Sequence, residues 1–338
     1  MIRPLSALVL VHMFALPVTA QKVVTGSSID ATLRVVDAAT GATLDASRAL
    51  TIPGDTVAGV HGLARHPQTH ELFAILDLAS TTTDRTLARI DETTGVCAAV
   101  GATGLRFSGL AFDGEGRLWG VTGDGATPQP ETLFQLDLTT GLPFGPLPLG
   151  NGSQGEAIGF DSDGGAMYHA SGRGVLNDPV GGRIFERVDL VTGAPTLITI
   201  SGVLAEEVNS LHYLGSGVFL AGVKPSDFVR LSITGVSSLV GAGDHRANGI
   251  ASTNDDCASA FVIGEGTYRS TLAATTNDGS AACDSSSSSR DVWFRFRAVT
   301  PGRLFATTCG THDAPGVDLG VDKVQSVDSG CPDTAAIQ

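Results

Sequence analysis

Five polar residues stand at matching places in five look-alike segments of this chain: His61, Ser108, Glu156, Asn209 and Asn248. Two positions after each comes an aliphatic residue, Leu63, Leu110, Ile158, Leu211 and Ile250, the alternation of a strand whose first residue is wet and whose continuation is buried. One carboxylate and two amide oxygens in a ring are the hard donors that a Ca²⁺ ion takes. Beside such an ion, His61 or Glu156 could handle a proton while the metal polarised a lactone or ester carbonyl. The competing explanation is structural, because strand-entry positions are solvated and tolerate polar side chains without any ligand. Other motifs carry less. DSDGG at 161–165 starts like a Ca²⁺ loop but lacks the Glu that would close it, and it aligns with DGEGR at 113–117, so it reads as a hairpin turn. His66, His70, His169, His212 and His245 are scattered without HExxH, no G-x-S-x-G elbow occurs, and GEGTYR and GAGDHR do not match phosphate loops.

What must position the five residues is a repeat. The template L-x-x-[ILV]-D-x-x-T-G fits LRVVDAATG at 33–41, LARIDETTG at 87–95, LFQLDLTTG at 133–141 and, with Phe first, FERVDLVTG at 185–193; RLSITG at 230–235 is a shortened fifth copy. Between these copies lie HGLARHPQTHELFAIL, SGLAFDGEGRLWGVT, EAIGFDSDGGAMYHAS and NSLHYLGSGVFLAG, and NGIAS follows at 248–252. Each of the long segments is one hairpin and each D-x-x-T-G turns another, which makes four strands per unit, the size of a propeller blade. Complete blades are expected at about 59–101, 106–150, 155–200 and 206–241, with strands from 31–51 joining NGIAS in a composite blade. The fold expected is therefore all-β, a propeller of five blades, with six as the alternative. Innermost strands of a propeller begin beside its central channel, so His61, Ser108, Glu156, Asn209 and Asn248 should collar the channel mouth.

The strand text GLAFDGEGRLWGVT resembles the NHL-repeat, gluconolactonase and virginiamycin-lyase-like propellers, over roughly residues 25–252. The resemblance to gluconolactonase-type propellers implies a Glu/Asn/Asn/Asp metal centre, toward which Glu156, Asn209 and Asn248 would contribute; no channel Asp matches, and those propellers have six blades.

The ends differ from this body. MIRPLSALVLVHMFALPVTA at 1–20 has a basic start, an apolar centre and small residues before Gln21, the marks of a secretory signal cut after Ala20. Its apolar run is too short to span a bilayer. Cys97 lies in the apolar run VCAAV and reads as a buried thiol, whereas Cys257, Cys283, Cys309 and Cys331 cluster near the end. In an exported chain those four suggest two disulfides; three connectivities are open, and order along the chain favours Cys257–Cys283 and Cys309–Cys331. In DVWFRFRA at 291–298, Val292, Phe294 and Phe296 alternate with Trp293, Arg295 and Arg297, as in a strand of an antiparallel sandwich. NDDCASA, DVWFRF and LFATTCG together resemble the bacterial pre-peptidase C-terminal domains, which implies a β-sandwich appendage over 253–338 without chemistry of its own, incomplete where the family's further strands would follow Cys331.

A net charge of −14 excludes a sequence-independent grip on nucleic-acid backbones. The expectation is an exported protein, secreted, periplasmic or cell-surface, that binds without catalysing. Its partner would be a small molecule, a polysaccharide or an envelope component. The rival is a Ca²⁺-dependent lactonase- or lyase-like hydrolase with its site in the channel.

Overall fold

The computed structural model describes residues 21–253, except 45–46, 82, 124–125, 151–155, 173–182 and 205, together with 261–263 and 294–296. The signal-like segment 1–20 and Cys257, Cys283, Cys309 and Cys331 lie outside the described residues. All regular structure among the described residues is β, and no helix there is long and apolar enough to cross a membrane.

Five sheets follow one another around an axis. Blade 2 is β4 (Val57–Arg65), β5 (Leu72–Leu78), β6 (Thr86–Ile90) and β7 (Cys97–Ala102). Blade 3 is β8 (Phe107–Phe112), β9 (Leu118–Thr122), β10 (Thr132–Leu136) and β11 (Pro143–Pro148). Blade 4 is β12 (Glu156–Asp161), β13 (Ala166–Ser171), β14 (Ile184–Val188) and β15 (Pro195–Leu197). Blade 5 is β17 (Val208–Gly215), β18 (Val218–Val223), β19 (Asp227–Ser232) and β20 (Val236–Ala242), with the short β16 (Ser201–Gly202) parallel to β20 at its rim. Blade 1 is built from both ends of the domain, in the order β21 (Gly249–Ser252), β1 (Lys22–Gly26), β2 (Thr32–Asp37) and β3 (Arg48–Ala49). The composite blade thus holds one strand more than the repeat indicated. KVVTG at 22–26 inserts between NGIAS and the 31–51 segment, pairing Val24 with Ala251 on one side and with Val35 on the other.

Radial closure follows from where the apolar residues fall. Each blade is narrow and two-faced, so it can bury its faces only against its neighbours. Five apolar clusters result, one in each seam: Val24, Leu33, Leu63 and Leu72 between blades 1 and 2; Phe73, Leu87, Phe107 and Leu118 between 2 and 3. Trp119, Leu133, Ile158 and Met167 fill the next seam, Phe185, Leu211, Phe219 and Val229 the one after, and Val23, Val36, Leu220 and Phe228 close the circle. In the blade 4–5 seam Tyr168 stacks on Phe185 with ring centroids 5.4 Å apart, and Phe219 tilts against both.

The D-x-x-T-G motif is explained by local geometry. Asp91 Oδ1 accepts from the amides of Thr93 and Thr94, Asp137 from Thr139 and Thr140, and Asp189 from Val191 and Thr192. In each turn the closing glycine donates its N–H to the Asp carbonyl at 2.7–2.8 Å with φ of 74–76°, a backbone setting that other residues reach only under strain. The Asp of DSDGG also holds a hairpin turn: Asp161 Oδ1 accepts from Asp163 and Gly164 between β12 and β13.

The described C-terminal part is one pair, β22 (Phe261–Ile263) with β23 (Phe294–Phe296). It runs parallel, where the sequence suggested antiparallel neighbours.

Candidate functional site

The five collar residues occupy equivalent backbone positions. His61, Ser108 and Asn209 each fall where the register shifts between the first and second strand of a blade, between Val60 and Gly62, Phe107 and Gly109, and Val208 and Ser210. Such bulges re-aim a side chain out of the regular alternation. Glu156 opens β12 and Asn248 directly precedes β21. All five therefore lie at one end of the axis, called the entry face below.

The next ring inward is small. Gly62, Gly109, Ala157, Ser210 and Gly249 line the axis with Leu63, Leu110, Ile158, Leu211 and Ile250. Inner strands abut so closely that a Cβ on Gly249 would lie 2.6 Å from the Leu63 backbone nitrogen, and one on Gly109 would lie 3.0 Å from the Glu156 carbonyl oxygen. The space left open to water centres there is about 10 Å³, room for about one molecule.

Asn248 borders this axial space, while Glu156 and His61 are engaged inside their own blades. Glu156 is wholly buried and turns into its own blade: Oε2 lies 2.6 Å from His169 Nε2, and Ser171 Oγ donates to Oε1 at 3.3 Å. On its far side His169 Nδ1 meets Glu186 Oε1 at 2.9 Å, the residue directly across the β13–β14 ladder. Burial alone would lower the His169 pKa, but hydrogen bonds and charge from Glu156 and Glu186 outweigh it and push the imidazole up to about 9. The three side chains thus form a buried carboxylate–imidazolium–carboxylate relay across three strands. Sister blades carry Ala74 and Ala88, or Gly120 and Phe134, at the His169 and Glu186 positions.

His61 also turns sideways. Its Nε2 lies 2.5 Å from Asp77 Oδ2, while Arg85 Nε donates to Asp77 Oδ1 at 3.0 Å and the Arg85 guanidinium donates to the Phe107 carbonyl of the next blade. Burial alone would raise the Asp77 carboxyl; His61 and Arg85 hold it down at about 2. Asn248 Oδ1 accepts from the Ser28 amide at 3.0 Å. Asn209 is buried, and its Nδ2 has no hydrogen-bond partner among the described residues. Ser108 and Glu156 approach each other over Gly123, where an added Cβ would lie 2.5 Å from Ser108 Oγ and 3.8 Å from Glu156 Cγ. Among the described residues no three His, Cys, Asp or Glu side chains gather as a metal-binding group.

Asp77, Arg85, His169 and Glu186 escape motif reading because each is a single polar residue inside an apolar strand or beside one. The signal was available: an ionisable side chain in LFAILDL, AMYHAS or IFERV must find a partner when its neighbours are buried.

No family model matches this chain, and no curated protein matches it. Solved structures similar to it include a chain of a mitotic checkpoint complex, at 12% identity over 74% of this chain and 90% of that one, with a TM-score of 0.40. An oxidoreductase described as a glucose dehydrogenase, from Thermus thermophilus, is 14% identical over 68% of this chain and 90% of its own, TM-score 0.40. The PQQ-bound aldose sugar dehydrogenase of Streptomyces coelicolor is 15% identical over 69% and 78%, TM-score 0.39.

Proposed function

We propose that this chain is an exported, non-catalytic binding or surface-associated propeller that takes its partner, a small molecule, polysaccharide or envelope component, at the entry face. The observation that carries the reading is the condition of Glu156. The collar's one carboxylate is fully buried, and its oxygens are engaged by His169 and Ser171. A carboxylate so committed is poorly placed to ligate Ca²⁺ or to relay a proton to a substrate above the axis. Export rests on the 1–20 segment alone.

Calorimetric titration of Ca²⁺ into wild type and Glu156→Gln, with a lactone and ester hydrolysis assay on both, tests this. Background heats and no turnover in either protein are expected. Ca²⁺-dependent turnover that is lost in Glu156→Gln would overturn the proposal in favour of the lactonase- or lyase-like function.

A further inference from the structure

Each inner strand of the ring is paired on one side only. β4, β8, β12 and β17 end the order of their sheets, next to β5, β9, β13 and β18, and β21 ends that of blade 1, next to β1. Along such a strand alternate residues turn their N–H and C=O to the ladder, and the residues between turn theirs away from it. The five unpaired edges all face the axis. Backbone polar atoms do reach it: a Cβ on Gly249 would lie 2.6 Å from the Leu63 nitrogen, one on Gly62 3.0 Å from the Leu110 nitrogen, and one on Gly109 3.2 Å from the Ile158 nitrogen. These same residues enclose the axial space of about 10 Å³.

Two side chains on the wall of that space are polar. Ser210 Oγ is turned away from it and donates to the Ala247 carbonyl at 2.7 Å. Asn248 is pinned in place: its N–H donates to the Gly26 carbonyl at 2.8 Å, and its Oδ1 accepts from the Ser28 amide at 3.0 Å. Its Nδ2 makes no hydrogen bond among the described residues and so has protons to give. Buried backbone donors and acceptors are nearly always paired, and here no further strand is present to pair them. The carbonyls call for a donor, whereas the backbone amides and Asn248 Nδ2 call for an acceptor. A metal cation would meet the amide protons as well as the oxygens, and an apolar atom would leave both unpaired. Water gives and takes hydrogen bonds, and the space has room for about one molecule of it.

We infer that the axis binds one ordered water just below the collar, held by backbone groups on the inner strand edges and by the Asn248 carboxamide. The water completes the hydrogen bonding of the ring where its five strands meet. It also closes the axis to anything larger, so a partner taken at the entry face stays above it. The inference goes beyond the entry-face reading and does not depend on it.

Water-to-amide cross-relaxation on the nitrogen-15-labelled full chain tests it. Amides that line the axis, Leu63, Leu110 and Ile158 among them, should show cross-peaks with the sign of a long-lived bound water. Those of Phe73 and Leu87, buried within the sheet of blade 2, should show none. Thermal unfolding should be unchanged when sodium is replaced by potassium or choline at equal ionic strength, and crystals soaked in thallium should give no anomalous peak on the axis. Axial amides silent to water would show a dry axis, and a thallium peak or ion-dependent unfolding would show a cation site; either result overturns the inference. Both leave the reading of Glu156 untouched, whereas Ca²⁺-dependent turnover lost in Glu156→Gln would overturn that reading and leave the axial water in place.

Discussion

Taking the cation out of the buried relay of blade 4 should cost more stability than taking out the whole relay. His169 lies 2.6 Å from Glu156 and 2.9 Å from Glu186, and all three side chains are fully buried. The imidazole is raised from 6.5 to about 9, a shift worth about 3 kcal/mol of folding free energy at 1.36 kcal/mol per unit. Because the folded-state value is the higher one, that contribution is complete below pH 6.5, fades as pH climbs, and is gone above about pH 9. His169→Gln strands two carboxylates in the interior and should lose about 3–5 kcal/mol at pH 6. Replacing all three residues by leucine leaves no buried charge and should fall within about 1–2 kcal/mol of wild type. Urea unfolding of the three proteins at pH 6, 7.5 and 9 measures both effects. A wild-type stability that stays level between pH 6.5 and 9, or a His169→Gln loss under about 1 kcal/mol, would refute the reasoning.

Gly95 and Gly104 both have positive φ, at 76° and 70°, but an added methyl at Gly95 would run into the Ala49 carbonyl, whereas at Gly104 it meets nothing within 4 Å. Gly104→Ala should therefore cost about 1–2 kcal/mol of backbone strain and Gly95→Ala clearly more; equal losses in denaturant melts would count against the close approach of Gly95 to the Ala49 carbonyl. Cys97 is fully buried and its thiol is pushed up to about 11, so native wild type and Cys97→Ser should give the same count of reagent-accessible thiols at pH 8. An extra reactive thiol in folded wild type would show that the blade 1–2 seam opens.

The turns were the most readable part of the sequence, since Asp91, Thr94 and Gly95 settle their geometry among themselves within five residues. Alignment of the copies also brought out His61, Ser108 and Asn209, which the fold places at matching bulges. Their direction was not readable. Whether such a side chain looks along the axis or into its own blade depends on what stands on the next strand, Asp77 for His61 and His169 for Glu156, and those partners bear no motif. The strand KVVTG went unread for a related reason: it is short, carries none of the repeat's marks, and one of its two partners, residues 249–252, lies at the other end of the domain. The small ring of Gly62, Gly109, Ala157, Ser210 and Gly249 was visible as text, yet the closeness of its packing is a property of five strands meeting.

The clasp between β1 and β21 bears on how the ring resists being opened. Val23 faces Ser252 and Gly26 faces Gly249, and the Thr253 hydroxyl donates to the Lys22 carbonyl at 3.0 Å. Lys22 and Thr253 therefore sit side by side, so tension applied between these two residues would peel the two strands apart one hydrogen bond after another instead of shearing the whole ladder at once. For the same reason the ring can lock only after residues more than two hundred positions apart have met, a late and slow step by the usual relation between contact separation and folding speed.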